Sequence, residues 1–147
     1  MAALSSVSAL RRMCELKRWS ITNLEANKLL YFAQMIALGQ SEGKSPFVAE
    51  RFQAWDYGPV LPGAYHRAKI FGDKSIKPFV FKSRGPIEEW EPVFAQTLGE
   101  FGDLTSAQLV AESHWKGGAW AEYYRSGSLG IDIPNDAILR EYVARTA

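Results

Sequence analysis

The segment 23–38 constrains the fold most, because it is apolar on almost every side when wound into a helix. Thr22 and Glu25 form a capping-box pattern, in which each side chain satisfies a backbone donor at the start of a helix. Gly39 is predicted to follow the last turn, since glycine readily adopts the left-handed conformation found there. A helix that is apolar all round has to be surrounded by other elements, so 23–38 is predicted to be the centre of the core.

Two polar side chains interrupt this apolar helix, Lys28 and Gln34. One interpretation places each at the edge of the core, where its polar end reaches water. The other makes either of them a buried group with a hydrogen-bonding partner, because an unpaired buried polar group is costly. The sequence leaves both interpretations open.

The remaining predicted elements are shorter. Apolar periodicity, N-cap residues and prolines predict helices over about 5–17, 62–70, 88–101, 106–115 and 135–145, and at most a short helix at 119–124. Alternating apolar residues predict two short strands, 51–56 and 75–82, that pair as a ribbon on the helices. The predicted fold class is α+β and mainly α: one compact domain, residues 1–147, with about six helices and a short two-stranded β-ribbon.

The charge balance bears on the class of partner. The chain has 147 residues, of which 17 are basic and 16 acidic, and its formal net charge is +1. This balance provides no general attraction to nucleic acid or to an anionic membrane. A local basic surface with stacking rings is an alternative, although the same rings fit the core face of a ribbon. The residues concerned are Lys69, Lys74, Lys77, Lys82 and Arg84, with Phe71, Phe79 and Phe81.

Cysteine usage bears on the compartment. Cys14 is the only cysteine, so no intramolecular disulfide can form and a reducing, cytoplasmic location is predicted. It falls on the apolar side of the first helix, which is typical of a buried small hydrophobe rather than of a nucleophile. No apolar run approaches the roughly 20 residues that cross a bilayer, so no membrane partner is expected.

The segment 54–65 has the most unusual composition. Its twelve residues hold three aromatic rings, two glycines and two prolines, a run that suits neither a regular helix nor a regular strand. One interpretation is a structural corner whose rings fill the core. The other is a rigid loop that presents aromatic side chains to a partner. Residue chemistry alone leaves the choice open.

A second aromatic segment, 114–120, places two tryptophans around a pair of glycines and begins with a histidine. It is either a packed corner or, if a tryptophan stays exposed, a binding anchor. His66 and His114 belong to no cluster with metal-ligand spacing, and no phosphate-binding glycine motif occurs. We therefore predict no catalytic residue, no cofactor and no metal, and no enzyme activity.

Two motifs occur in order along the chain. The first reads Leu24-x-x-x-Lys28-Leu29-Leu30-Tyr31-x-Ala33-Gln34, and the second reads Ala54-Trp55-x-Tyr57-Gly58-Pro59-Val60-x-Pro62-x-x-Tyr65. With the later His114 and Trp120, they closely resemble the Panacea domain, the family of SocA-like antitoxins and phage-associated GepA-like proteins. The resemblance covers roughly residues 8–145.

The resemblance implies an antitoxin that is not an enzyme and that binds and neutralises a cognate toxin protein encoded beside it. Some members of this family act as adaptors that present a toxin to a cytoplasmic protease, which would then be a second partner. Others carry an added DNA-binding segment, for which this sequence has no length left. The alternative functions are therefore a proteolytic adaptor and a nucleic-acid-binding regulator.

The resemblance also singles out a set of signature or partner-binding residues. The toxin contacts themselves do not carry over, because partners differ within the family, and several members of the set could belong to the core. We expect the glycine–proline pair at 58–59 to fix the fold and the neighbouring surfaces to select the toxin. The set is Trp55, Tyr57, Gly58, Pro59, Val60, Tyr65, His66, His114 and Trp120.

Overall fold

A computed structural model of the chain describes residues 1–78, 87–128 and 130–147, and within these ranges the protein is α+β and mainly α. The predicted fold class is confirmed. The helices and strands in these ranges outnumber those predicted. They are α1 (Ser6–Leu16), α2 (Asn23–Gln40), β1 (Gln53–Trp55), β2 (Gly58–Val60), α3 (Pro62–Ala68), a 3-10 turn (Lys69–Phe71), α4 (Ile87–Phe101), α5 (Ser106–Ser113), α6 (Ala119–Tyr123), β3 (Ile131–Asp132) and α7 (Asn135–Thr146).

Helix α2 lies at the centre of the core, as its composition predicts. The capping box is present, with the Thr22 side chain accepting from the Glu25 backbone and the Glu25 side chain from that of Thr22. From Ala26 to Leu38 every residue is buried, and α1, α3, α4, α5, α7 and β2 all pack against the helix. Each fully buried leucine or phenylalanine contributes about 1.5–3 kcal/mol, so this single helix organises much of the stability.

The end of α2 differs from the prediction. Gly39 does not terminate the helix, which continues to Gln40. A Cβ at Gly39 would lie 2.1 Å from the Tyr142 ring of α7, so glycine is needed there for close helix packing. The left-handed glycine is instead Gly43, at φ +84°, and its N–H donates to the Leu38 carbonyl at 2.8 Å. The first glycine after the apolar run therefore serves packing between helices rather than helix termination.

The β-structure is a three-stranded antiparallel sheet in the order β2–β1–β3, not the predicted ribbon of 51–56 with 75–82. Trp55 pairs with Gly58, so Asp56 and Tyr57 form the turn between β1 and β2, and Gly58, at a φ of +115°, follows that turn. Residues 75–78 are not a strand, and Ile76 donates instead to the Ile21 carbonyl at 2.9 Å. The remainder of the predicted strand, 79–82, lies outside the described residues.

The C-terminal helix α7 is held against α2 by a buried polar cluster. Glu141 is almost fully buried and accepts from the Tyr31 hydroxyl at 2.5 Å and from the Ala119 N–H at 2.9 Å. Its second oxygen accepts from Arg145 at 2.7 Å, and Arg145 also bonds Glu112 at 3.0 Å. The Glu141 carboxylate thereby joins α2, α6 and α7. Burial, together with the neighbouring charge of Glu141, holds the pKa of Tyr31 well above its ordinary value.

Two further predictions are that Cys14 is buried in the core and that no helix spans a membrane. Cys14 is fully buried, and burial raises the pKa of its thiol to about 12, so it is a core residue and not a nucleophile. In the described ranges, no helix combines the length and the apolar character that crossing a bilayer requires.

Candidate partner-binding site

The β1–β2 hairpin brings the glycine–proline signature directly over α2. Pro59 lies on the edge strand β2, where its missing N–H costs no ladder hydrogen bond, and its carbonyl accepts from the Lys28 ammonium at 3.1 Å. A Cβ on Gly58 would lie 2.5 Å from Ser113 Oγ and 2.9 Å from Lys28 Cε. Glycine is therefore required both for the backbone angle and for the close approach of the hairpin to two helices.

Amide side chains on the first turns of α2 fasten the corner that follows the hairpin. Asn27 Oδ1 accepts from the Leu61 N–H at 2.8 Å, and Asn27 Nδ2 donates to Asn23 Oδ1 at 2.8 Å. Asn23 Nδ2 donates in turn to the Tyr65 carbonyl at 3.1 Å. Together with Lys28 they attach three points of 59–65 to one helix, which makes the corner rigid.

Sequence reasoning did not identify these two asparagines as partners of the corner. Asn23 and Asn27 are four residues apart and lie on one side of a helix that was predicted to be central. Polar residues at helical spacing on a buried helix indicate a fixed partner, and that signal was present. The spacing does not show which distant segment supplies that partner.

Lys28 and Gln34 are both buried groups with hydrogen bonds, so the edge interpretation is wrong for each. Gln34 Oε1 accepts from the Phe47 N–H at 2.7 Å and from the Val48 N–H at 3.2 Å. Its amide thus satisfies backbone donors of the segment before β1. Lys28 and Gln34 therefore complete the buried surface of α2, and each has a hydrogen bond to the backbone of the segment packed against it.

Aromatic rings stack behind the hairpin. The His114 and Trp120 rings are parallel with centroids 3.8 Å apart, and the Trp120 and Tyr124 rings are 4.6 Å apart. Trp120 Nε1 donates to the Trp55 carbonyl at 2.7 Å, and the Tyr124 hydroxyl donates to Asp56 at 2.5 Å. The 114–120 segment is therefore a packed support for the hairpin turn.

Ring contacts also join the hairpin to α3. The Trp55 and Tyr65 ring centroids lie 4.7 Å apart, and those of Tyr65 and His66 lie 5.4 Å apart. Both contacts are edge-to-face, the arrangement that the ring quadrupoles favour. The structure thus brings all nine residues of the predicted set into one neighbourhood.

Burial divides that set into support and surface. Gly58, Pro59 and Val60 are buried. Trp55, Tyr65, His114 and Trp120 are partly buried, whereas His66 is exposed and Tyr57 keeps 70% of its surface open to solvent. Tyr57, a largely exposed aromatic side chain, therefore lies on the tip of the hairpin.

A cavity of about 540 Å³ opens beside this tip. Its wall is predominantly apolar, and its charged lining residues other than Lys28 are exposed. We call it the hairpin cavity. It is lined by Asn23, Leu24, Asn27, Lys28, Trp55, Asp56, Tyr57, Val60, Tyr65, Lys69, Gly72 and Asp73.

Two titratable groups beneath the hairpin have lowered pKa values. Burial lowers the pKa of Lys28 from 10.5 to about 7. Burial also lowers the pKa of His114; a hydrogen bond to the Tyr57 backbone opposes this, and the nearby charge of Lys28 lowers it further. His114 Nε2 is buried and has no hydrogen-bond partner among the described residues.

Replacing Lys28 with methionine should change how stability depends on pH. Because the pKa of Lys28 is about 7 when folded and 10.5 when free, the unfolded chain holds more protons between these values. Wild-type stability should therefore rise with pH relative to Lys28→Met, by up to about 1.4 kcal/mol per pH unit. Urea unfolding from pH 7 to pH 9 measures this difference.

The matched control for this measurement is Lys44→Met at an exposed lysine, which should run parallel to wild type across the same pH range. Parallel curves for Lys28→Met and wild type would mean that the folded pKa of Lys28 is not lowered.

The described residues around the cavity include no candidate metal site. Among residues 1–78, 87–128 and 130–147, no group of three or more His, Cys, Asp or Glu side chains is placed to hold a metal ion. Apart from Lys28, the buried polar atoms nearest the cavity, those of Asn23 and Asn27, are occupied by the hydrogen bonds described above. The arrangement is suited to recognition: a rigid turn with an exposed ring beside an apolar cavity.

The sequence of the chain is similar to a known protein family and to one of its members. Residues 27–121 match the family model described as antitoxin SocA-like, Panacea domain. The chain is 33% identical over 111 residues to Antitoxin SocA of Caulobacter vibrioides (strain NA1000 / CB15N), an alignment that covers 68% of this chain and 58% of that protein. The chain thus spans less than two thirds of that relative's length. No solved structure matches the chain. With the family match across most of its length, the chain belongs to the antitoxin SocA-like, Panacea domain family.

Proposed function

We propose that this protein is the antitoxin of a toxin–antitoxin pair and that it neutralises its toxin by direct, stoichiometric binding. The proposal includes a single functional domain over residues 1–147, a cytoplasmic location and no enzyme activity of its own. Membership of the SocA-like family and the similarity to Antitoxin SocA support the antitoxin role. The observation that carries the binding mode is the exposed Tyr57 on a rigid hairpin beside an apolar cavity.

Three of the six large apolar side chains that stay exposed among the described residues line the hairpin cavity or adjoin a lining residue in the chain. Leu24 and Tyr57 line it and are 37% and 70% exposed, and Ile70, at 74%, follows the cavity residue Lys69 in the chain. We define these three residues with the cavity as the hairpin surface. An aromatic anchor beside apolar contacts and a pocket is the composition found at the energetic centre of protein interfaces.

The rigidity of the corner contributes to this proposed binding. The backbone of the hairpin and of the corner after it is fixed before any partner arrives, because Lys28 and Trp120 donate to its carbonyls and Asn27 accepts from the Leu61 N–H. A preformed surface loses little conformational entropy on association, so more of the contact energy is retained as affinity. The buried signature residues would then support the same fold whichever toxin is bound, and the exposed residues would determine which toxin binds.

Co-expression with the product of the adjacent gene tests the function. We expect that product to arrest growth when expressed alone, and this protein to restore growth and co-purify with it in a fixed ratio. Toxin half-life should be unchanged in the rescued cells, because steric neutralisation requires no protease. A harmless neighbour, or one that never co-purifies, would remove the basis of the proposal, whereas accelerated toxin turnover would indicate adaptor action.

Tyr57→Ala should weaken toxin binding without unfolding the protein. The side chain is mostly exposed, and the Tyr57 backbone that bonds His114 is kept in the variant, so stability should change by no more than about 0.5 kcal/mol. Loss of an interface aromatic should weaken binding by about tenfold or more. Calorimetric titration with the toxin and a thermal melt give the two values.

Val143→Ala is the matched control, because Val143 is a similarly exposed apolar residue, on α7, that does not line the cavity. It should leave both affinity and stability near the wild-type values. Equal affinity of Tyr57→Ala and wild type would show that the hairpin surface is not the toxin interface.

A further inference from the structure

Three lysines on the segment that follows α3 are exposed cations, and we call Lys69, Lys74 and Lys77 the lysine group. Within residues 1–78, 87–128 and 130–147, none of the three forms an ion pair with a carboxylate. Arg140 and Arg145, in contrast, are each paired with acidic side chains of the protein. The charges of the lysine group are therefore not used by the fold.

The lysine group belongs to a segment whose charge differs from that of the whole chain. Residues 62–77 contain four basic side chains, the lysine group and Arg67, but a single acidic one, Asp73. The formal charge of this segment is thus +3, whereas the net charge of the chain is +1. Such a local concentration of charge attracts an oppositely charged surface even when the net charge of the protein is small.

The segment that carries the lysine group borders one side of the hairpin cavity. Lys69 lines the cavity itself. The Lys74 N–H donates to the Phe71 carbonyl at 3.0 Å, so Lys74 lies on the turn that follows Lys69. The residue before Lys77 donates to the Ile21 carbonyl at 2.9 Å, which fastens the end of the segment next to the start of α2. The positive charges thus follow one edge of the hairpin surface.

Apolar side chains lie beside these charges. Ile70 follows Lys69 directly and is 74% exposed, and the exposed parts of Leu24 and Tyr57 lie at the same cavity. The hairpin surface therefore has an apolar centre with cations along one edge. Protein interfaces commonly have this arrangement, in which a desolvated apolar centre is surrounded by a polar rim that stays in contact with water.

We propose that the hairpin surface docks an acidic face of the toxin, in which apolar side chains are bordered by Asp or Glu residues. The apolar side chains would contact Tyr57, Ile70 and the cavity, and the carboxylates would pair with the lysine group. This inference rests on the proposed antitoxin function and adds the chemistry of the toxin surface that is recognised.

Two observations favour an acidic protein over nucleic acid as the partner. Phe71, a candidate ring for stacking on bases, packs against the core. Asp56 and Asp73 are exposed at the cavity, so a continuous phosphate backbone approaching it would meet two carboxylates. A protein carries separate charges, and it can therefore place carboxylates opposite the lysine group without placing any opposite the two aspartates.

The lysine group and the apolar centre would contribute differently to binding. Because the lysines are exposed, salt screens their attraction over a Debye length of about 8 Å at physiological ionic strength. Charges at the rim of an interface act mainly on the association rate constant and on its salt dependence. The lysine group would thus determine how fast the toxin is captured, and the apolar centre would determine how long the complex lasts.

Stopped-flow association with the purified product of the adjacent gene tests the inference. For wild-type protein, the association rate constant should fall by about tenfold or more between about 0.05 M and about 0.5 M NaCl. The triple variant Lys69→Gln/Lys74→Gln/Lys77→Gln should associate about tenfold more slowly at the lower salt concentration and should lose most of the salt dependence.

The triple variant Lys44→Gln/Arg51→Gln/Lys116→Gln is the matched control, because it removes the same charge from exposed positions that do not line the cavity. Its association rate constant should stay within about twofold of the wild-type value. Circular dichroism should show both variants folded, since every substituted side chain is exposed.

The remaining outcomes separate this inference from the antitoxin role. Toxin binding without salt dependence, or with equal rates for the two triple variants, overturns the inference and leaves the antitoxin role standing. A gel shift with duplex DNA from the protein's own promoter that only the lysine-group variant loses, with toxin association unchanged, would assign these lysines to nucleic acid and also overturn it. A neighbouring product that does not bind at either salt concentration overturns both the role and the inference.

Discussion

Replacing Glu141 with glutamine should lower the free energy of unfolding by about 3–5 kcal/mol, the effect of breaking one partner out of a buried ionic cluster. The carboxylate accepts from Tyr31, Ala119 and Arg145 at the same time. Glutamine offers only one oxygen, so its amide N–H₂ would face a donor and leave buried groups unpaired. Urea unfolding at pH 7 measures the loss.

Glu122→Gln is the matched control, because Glu122 also pairs with an arginine, Arg140, but its side chain is 50% exposed. An exposed pair contributes about 0–1 kcal/mol, so this variant should stay close to wild type. If the two variants lost the same stability, the cluster around Glu141 would not be what fastens α7 to α2.

Gly58→Ala should lower the free energy of unfolding by about 2–5 kcal/mol, from two causes that add. A φ of +115° is strained for any residue with a side chain. The new Cβ would also meet Ser113 and Lys28 at 2.5 and 2.9 Å, so the hairpin has to move away from α2 and α5. Because the hairpin carries Tyr57, toxin binding should fall with stability.

Gly127→Ala separates these two causes, since Gly127 has a φ of +80° and a Cβ added there would meet nothing within 4 Å. Only the backbone strain applies at this position, so the loss should be about 1–2 kcal/mol. A loss for Gly58→Ala no larger than that of Gly127→Ala would indicate that the hairpin does not press against the two helices.

Local signals in the sequence predicted the helices well. The capping box at Thr22 and the N-cap at Thr105 form as expected, and Pro134 precedes α7 as its N-cap. These are interactions between residues a few positions apart, so the residues that decide them are neighbours in the chain. The apolar run of α2 predicted a surrounded helix for a similar reason, since no other arrangement would bury it.

Pairing between distant segments was not predictable in the same way. β1 pairs with β3, about 80 residues away, where two residues give too short a signal to recognise. The ribbon assigned to 75–82 had a better alternating pattern, yet Ile76 bonds the Ile21 backbone instead. An alternating pattern indicates that a segment can form a strand, but it does not identify the strand with which the segment pairs. Strand pairing depends on the whole packed structure.

The sequence by itself determined that α2 is the centre of a mainly helical protein, and its ordered motifs pointed to the family to which the chain belongs. The tertiary structure alone decided which signature residues are support and which are surface, because burial is a property of packing. It placed Pro59 and Val60 in the interior and left Tyr57 exposed at the hairpin tip. It also decided that the Lys28 side chain is buried beneath the hairpin, since only long-range contacts could remove its amine from water.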